Sequence, residues 1–80
     1  MQIESHQSLV EYIVKALVEN PDAVEILVVD GSTGPLIELR VAPSDRGRVI
    51  GKKGRTAHAI RTLLASMGPD EEKVGLEIVD

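Results

Sequence analysis

The sequence of 80 residues contains no cysteine, no phenylalanine and no tryptophan, and Tyr12 is its only aromatic residue. Without cysteine the chain can form neither a disulfide nor a thiolate metal site, and such a composition fits the reducing cytoplasm. A single tyrosine, which we interpret as a partly buried helix residue, cannot build the aromatic platform on which RRM domains and most OB-folds stack bases. Any nucleic-acid site in this chain must therefore use aliphatic side chains, backbone groups and cations.

Long apolar runs are also missing, since no stretch approaches the ~20 residues that a membrane-spanning helix needs. Residues 1–5 lack the basic and apolar regions of a signal peptide. We therefore expect a cytoplasmic protein without membrane contact. At this length residues 1–80 are expected to form a single domain, which buries only about 60–65% of the surface of its unfolded chain.

Residues that commonly carry catalysis are sparse. The two histidines, His6 and His58, lie far apart in sequence, and we interpret both as surface residues rather than as a catalytic base or metal ligands. The glycine spacing fits neither a Walker loop nor a Rossmann loop. We therefore expect no enzymatic activity, no metal and no cofactor.

The positive charge is gathered in one stretch of the chain, residues 46–61. This stretch holds six of the nine lysines and arginines and no acid, whereas the remainder holds three bases and all 13 acids. Its formal charge is +6 against −10 for the remainder, within a net charge of −4. Such segregation in an acidic protein indicates a surface for a polyanion.

Two glycines, Gly51 and Gly54, bracket Lys52 and Lys53 at the centre of this basic stretch. Glycine permits positive φ angles and the close approach of another backbone. Good helix formers follow, so the loop is expected to lead into a helix N-terminus, where free amides and the helix dipole favour a phosphate. The pattern Gly-x-x-Gly alone is common, but the two lysines, the apolar pair before it and the arginine after it sharpen the prediction of a phosphate-binding loop.

The N-terminal part of the chain predicts a helix over residues 7–20, which ends before Pro21. Two strands are expected next, a well-buried one over residues 24–30 and an alternating one over residues 36–42. Turn-forming residues at 30–35 should join them as an antiparallel hairpin. The predicted buried face of the helix comprises Leu9, Val10, Ile13, Val14, Ala16 and Leu17.

The C-terminal half predicts a short helix that Ser44 or Asp45 could cap and that runs to about residue 50. A helix from residue 55 to 67 follows the glycine loop, and Gly68 and Pro69 should end it. After an acidic linker at residues 70–72, alternating apolar residues from Val74 to the C-terminus predict a third strand. The order α-β-β-α-α-β gives an α+β domain in which three helices cover one face of a three-stranded sheet.

The segment Val49-Ile50-Gly51-Lys52-Lys53-Gly54-Arg55 resembles the signature of a KH RNA-binding domain, and the element order resembles the type II arrangement of that family. The chain length and the run of residues 19–24 resemble the small single-domain bacterial KH proteins of the KhpA type. The resemblance covers nearly the whole chain.

In the resembled family, about four single-stranded nucleotides lie in a groove with their backbone against the glycine loop. Ala57 stands where a larger aliphatic residue often follows the loop, which favours attraction to the RNA backbone over base discrimination. The resemblance and the charge pattern give the predicted RNA-binding residues as Ile50, Gly51, Lys52, Lys53, Gly54 and Arg55, with Arg40, Arg46 and Arg48 as further candidates.

The predicted function is non-enzymatic binding of single-stranded RNA with weak base specificity. The KhpA-type resemblance further implies RNA-chaperone activity linked to cell shape and cell-wall organisation, self-association, and pairing with a larger KhpB-like KH protein. Leu63 and Leu64 give the third helix more apolar surface than one narrow stripe requires, which favours a homodimer. The alternative is a protein-interaction adaptor with this fold that binds little or no RNA.

Overall fold

The structure, a computed structural model, describes residues 3–32, 34–67 and 74–79. The predicted order α-β-β-α-α-β is confirmed, and so is the α+β class. The expected stop at Gly68 and Pro69 and the acidic linker at residues 70–72 lie outside the described residues. The helices and strands are α1 (Ile3–Leu17), β1 (Glu25–Gly31), β2 (Gly34–Arg40), α2 (Arg46–Ile50), α3 (Arg55–Ala65) and β3 (Gly75–Ile78).

The buried face of α1 differs from the predicted one. Val10 and Val14 are fully buried as expected, and Val18 continues the same line at a spacing of four residues. Leu17, predicted to be buried, is 38% exposed. The sequence carries apolar residues along two adjacent lines of this helix, and its periodicity alone does not show which line the sheet covers.

Three further predicted burial states around α1 are wrong. Ala16 lies on the exposed side of the helix, and Tyr12 is 77% exposed instead of partly buried. His6, interpreted as a surface residue, is buried because it begins the same i, i+4 line as Val10 and Val14. His58 is exposed, as expected.

The three strands form one mixed sheet in the order β1-β2-β3. Strands β1 and β2 pair antiparallel, with Ile26 opposite Leu39, which confirms the hairpin. The turn is tighter than predicted, because β1 extends to Gly31 and β2 already begins at Gly34. Strand β3 pairs parallel with β2, and its ladder ends with a 2.8 Å bond from the Val79 amide to the Leu39 carbonyl.

The helices pack against one face of the sheet and leave the other face open. Ile37 and Leu39 point to the helices and are fully buried, while Glu38 between them is only half-buried. The expectation that β1 is well buried is wrong, because Leu27 points to the open face and is 59% exposed. The core residues are Val10, Val14, Val18, Ile37, Leu39, Val41, Val49, Ile60, Leu64, Val74 and Leu76.

Candidate nucleic-acid interface

The glycine loop is a single tight turn between α2 and α3. Three of its residues have positive φ angles, namely Gly51 at 80°, Lys53 at 58° and Gly54 at 76°. The Gly54 amide donates to the Gly51 carbonyl at 3.0 Å, and the Arg55 amide donates to the Lys52 carbonyl. These two amides, like the Gly51 amide that donates to the Gly47 carbonyl at 2.8 Å, are therefore already bonded within the protein.

Gly51 is packed against the first turn of α3. A Cβ atom at this position would lie 2.7 Å from the Thr56 backbone nitrogen, a distance that real Cβ atoms do not show. Its dihedral angles of 80° and 167° belong to a region that is almost restricted to glycine. Glycine is thus required at position 51, where α2 ends and the loop begins.

Gly54 has open space around its α-carbon. A Cβ atom there would meet no heavy atom within 4 Å, and the φ of 76° is left-handed. This residue precedes the eleven residues of α3, whose N-terminal end carries partial positive charge. The surface at Gly54 is therefore bare backbone that a ligand can approach closely.

The cations of the loop are exposed and unpaired. Lys52, Lys53 and Arg55 are all exposed, and none of them forms an ion pair with another residue of the described ranges. Among the described residues 3–32, 34–67 and 74–79, Lys53 is the only non-glycine residue with a positive φ. Three exposed positive charges thus flank Gly54 in the sequence.

The other predicted arginines lie in different surroundings. Arg48 Nη2 donates to Glu19 Oε2 at 3.0 Å, and its Nε lies 3.8 Å from Asp45 Oδ1. Arg40 lies 3.7 Å from Glu25 on the open face of the sheet. Arg46 is half-buried on α2. Arg40 and Arg48 thus pair with acids, whereas Lys52, Lys53 and Arg55 do not within the described part of the chain.

Two apolar residues flank the loop in opposite environments. Ile50, the residue before Gly51, is 37% exposed, whereas its neighbour Val49 is fully buried. Ala57 on α3 is 3% exposed, so its small side chain is part of the packed interior. Ile50 is the exposed apolar side chain next to the cations, and Val49 holds the end of α2 in the core.

Ser44 or Asp45 was expected to cap α2, and Asp45 takes the position but not the hydrogen bond of a cap. The fully buried carboxylate instead accepts hydrogen bonds from the amides of Glu19 and Asn20 at 3.1 and 3.0 Å, and from Asn20 Nδ2 at 3.0 Å. Sequence reasoning missed this contact because the partners are 25 and 26 residues away.

The hydrogen bonds to Asp45 also fix its ionisation. The backbone amide of Glu19 has the largest effect and holds the pKa of this carboxyl below its usual value of 3.8. Bonds from Asn20 and the charge of Arg48 act in the same direction, while burial opposes them. Asp45 is therefore an anion at neutral pH.

Arg61 links α3 to the sheet, which the sequence did not reveal. Its Nε donates to the backbone carbonyl of Leu76 in β3 at 3.2 Å. Because β3 is an outer strand of the sheet, this bond ties α3 to the edge of the sheet.

A pocket of about 270 Å³ lies at the open face of the sheet, away from the loop cations. Two carboxylates line it beside Arg40, which makes it a poor match for a polyanion. Its lining residues are Glu25, Ile26, Leu27, Glu38, Arg40 and Val79. Within the described ranges, no helix has the length and hydropathy to cross a bilayer, and no three His, Cys, Asp or Glu residues are grouped as for a metal.

The α-β-β-α-α-β order and the basic turn between two glycines define a KH domain of the type II arrangement. A family model described as KhpA/KhpB, KH domain, matches residues 7–78. The chain belongs to this family, because the match covers nearly all of its length.

Curated relatives resemble the chain over most of its length. The RNA-binding protein KhpA of Caldanaerobacter subterraneus is 54% identical over 72 residues, which are 89% of this chain and 96% of that protein. KhpA of Borreliella burgdorferi is 48% identical over 90% of this chain and 89% of its own length. KhpA of Chlamydia trachomatis is 50% identical over 86% and 90%. No solved structure matches the chain significantly.

Proposed function

We propose that this protein binds single-stranded RNA without catalysing a reaction, and that the turn Gly51–Gly54 grips the RNA backbone. The observation that supports the proposal is the cluster of exposed, unpaired cations at Lys52, Lys53 and Arg55 around the bare backbone of Gly54. The relatives that the chain resembles are named as RNA-binding proteins.

In this proposal, the groove between the α2–loop–α3 side and the edge of β3 holds the RNA. Ile50 offers an apolar contact for a base at the groove floor, while Lys52, Lys53 and Arg55 attract phosphates. The ion-paired Arg40 and Arg48 contribute little to RNA binding. The half-buried Arg46 contributes more than these two arginines but less than the exposed cations of the loop. Since Tyr12 on α1 is the only aromatic residue of the sequence, the chain has no aromatic platform for stacking bases, and the base specificity is weak.

The direct test is RNA affinity as a function of salt. Binding through three or four phosphates gives a log–log salt slope of about −2 to −3 for a single strand. Exchange of both Lys52 and Lys53 for Asp should abolish binding, while the circular dichroism spectrum and melting temperature remain those of a folded domain.

The matched control compares Lys53→Asp with Lys15→Asp. Both changes alter the net charge equally, but Lys15 lies on α1 and pairs with Glu11 at 2.9 Å. A loss of affinity that is equal in the two variants would show that the binding follows net charge, and the loop would lose its proposed role.

Self-association is the second part of the proposal. Leu64 is fully buried in α3, but Leu63 is 46% exposed and Met67 is 36% exposed one turn further on. A second copy or a larger KhpB-like KH protein could cover this apolar surface, and pairing of two weak sites raises the avidity for RNA. Sedimentation at high concentration should show a dimer that Leu63→Lys dissociates; a monomeric wild type contradicts this part.

The KhpA-type resemblance extends the proposal to a cytoplasmic RNA chaperone that acts in cell-wall growth. The competing function is an adaptor that binds proteins but no RNA. In-cell cross-linking followed by sequencing separates the two, because the adaptor recovers protein partners alone. Recovered RNA that disappears with the Lys52 and Lys53 exchange supports the RNA-binding function.

A further inference from the structure

The buried carboxylate of Asp45 lies at the start of α2, before the basic turn, and reaches back to a distant segment of the chain. It is fully buried, and its three hydrogen bonds all come from Glu19 and Asn20, just after the end of α1. No contact proposed for RNA uses it. Burial of a charge is unfavourable unless several donors compensate it, so the donors around this carboxylate decide what it contributes.

The donors around Asp45 compensate this charge well. Both oxygens are engaged, Oδ1 by the Glu19 amide and Oδ2 by the Asn20 amide and side chain. Arg48 adds a positive charge at 3.8 Å and also contacts Glu19 at 3.0 Å. These charge-assisted bonds fasten the start of α2 to the segment after α1.

This fastening matters for the turn because α2 has only five residues. A helix of that length is unstable alone, so contacts at its two ends determine its orientation. Asp45 holds its start, and fully buried Val49 holds its last turn. Gly51 follows directly, and its amide bonds to the Gly47 carbonyl at 2.8 Å.

We propose that Asp45 is a positioning residue for RNA binding: its carboxylate holds α2 so that the turn Gly51–Gly54 is already in its binding conformation before RNA arrives. The inference rests on the proposed RNA-binding function. Asp45 does not touch the RNA, and it acts through the orientation of α2. If the turn is correctly formed in only a fraction of molecules, the apparent affinity falls by that fraction.

The test variant is Asp45→Asn, which keeps the shape but directs an amide N–H at the backbone N–H groups that the carboxylate accepts from. A core variant, Ile37→Val or Ile37→Ala, serves as the control, chosen to match the melting temperature of Asp45→Asn. Ile37 is fully buried in β2 and belongs to no part of the turn. Affinity is measured for a labelled single-stranded RNA of about ten nucleotides, at a temperature where all variants are folded.

The second measurement is amide hydrogen exchange at Gly51 and Gly54, whose amides bond to Gly47 and Gly51. Asp45→Asn should weaken RNA binding about three- to tenfold and accelerate exchange at these two amides, while the matched core variant changes neither. Asn20→Ala removes one of the three bonds and should give the same changes to a smaller extent; it decides the question by the same criteria if Asp45→Asn does not fold.

Each outcome has a distinct meaning. Wild-type affinity in Asp45→Asn, or equal weakening in the core variant, overturns the positioning role, because the carboxylate then acts on stability alone. If the wild type binds no RNA, the proposed function fails. In that case, faster exchange at Gly51 and Gly54 in Asp45→Asn still supports the ordering of the turn, and unchanged exchange overturns it.

Discussion

The two glycines of the basic turn occupy equivalent places in the motif but differ in their surroundings. At the Gly51 end, the backbone lies so close to Thr56 that a side chain would collide with it. At the Gly54 end, a side chain would extend into open space. Both residues have positive φ angles, yet only Gly51 is also required by packing.

This difference shows that a short motif can combine two physical requirements. The Gly51 end joins the turn to the folded body through α2, Val49 and Asp45, so its glycine supports the structure. The Gly54 end faces outward beside Lys53 and Arg55, so its glycine keeps a surface accessible. Substitution of Gly51 should therefore lower stability more than RNA affinity, whereas substitution of Gly54 should lower RNA affinity more than stability.

The largest effect is expected for Gly51→Ala. The collision with Thr56 and the strained dihedral angles should lower the free energy of unfolding by about 3 kcal/mol or more, which is enough to unfold a small domain. Urea denaturation measures the change. Gly47→Ala is the matched control, because Gly47 lies in α2 with no heavy atom within 4 Å of its Cβ position. Comparable losses in the two variants would contradict the packing argument.

Gly54→Ala should weaken RNA binding more than it lowers stability. The left-handed conformation costs a non-glycine residue about 1–2 kcal/mol, and no collision adds to it. The added methyl group, however, stands on the surface proposed for RNA, so the affinity should fall about tenfold while the domain stays folded. Fluorescence anisotropy alongside thermal melting tests this, and a melting temperature that drops as far as that of Gly51→Ala would remove the contrast.

A smaller effect concerns the pH dependence of stability at the Asp45 attachment. Since the native pKa of Asp45 lies below 3.8, the unfolded chain binds a proton more readily than the native protein. The stabilisation is therefore complete above pH 3.8 and is lost as the pH falls from there through the lower native pKa. Urea midpoints compared between wild type and Asp45→Asn should converge in this acid range; a constant difference contradicts the assignment.

The smallest effect is expected for Lys53→Gly, in the middle of the turn. Glycine relieves the left-handed strain at the φ of 58° but adds freedom to the unfolded chain, so the free energy of unfolding should change by less than about 1 kcal/mol. One cation is lost, and the log–log salt slope of RNA binding should become shallower by about 0.7. Lys53→Arg keeps the charge and should retain the wild-type slope.

The order of elements and the position of the turn were predictable because local signals determine them. Helical and alternating periodicity separated α1 from β2, and the glycines marked the loop between α2 and α3. The charge segregation around Lys52 and Lys53 is likewise visible in the sequence alone. These features depend on neighbours within a few residues.

The unpredicted features depend on contacts between distant segments. Asp45 has the local pattern of a helix cap, but its carboxylate accepts hydrogen bonds from the amides of Glu19 and Asn20 instead of capping α2. The buried line of α1 is set by the sheet beneath it, which local periodicity does not contain. The pairing of Arg48 likewise depends on Glu19, an acid 29 residues away.

The hydrogen bond from Arg61 to the Leu76 carbonyl bears on the behaviour of the protein at high concentration. An outer strand offers unpaired backbone groups to which another chain can add, and this is a route to aggregation. Strand β3 has only four residues, and Arg61 occupies one of its outward carbonyls with a charged side chain. The contact that joins helix to sheet therefore also protects the edge against intermolecular strand addition.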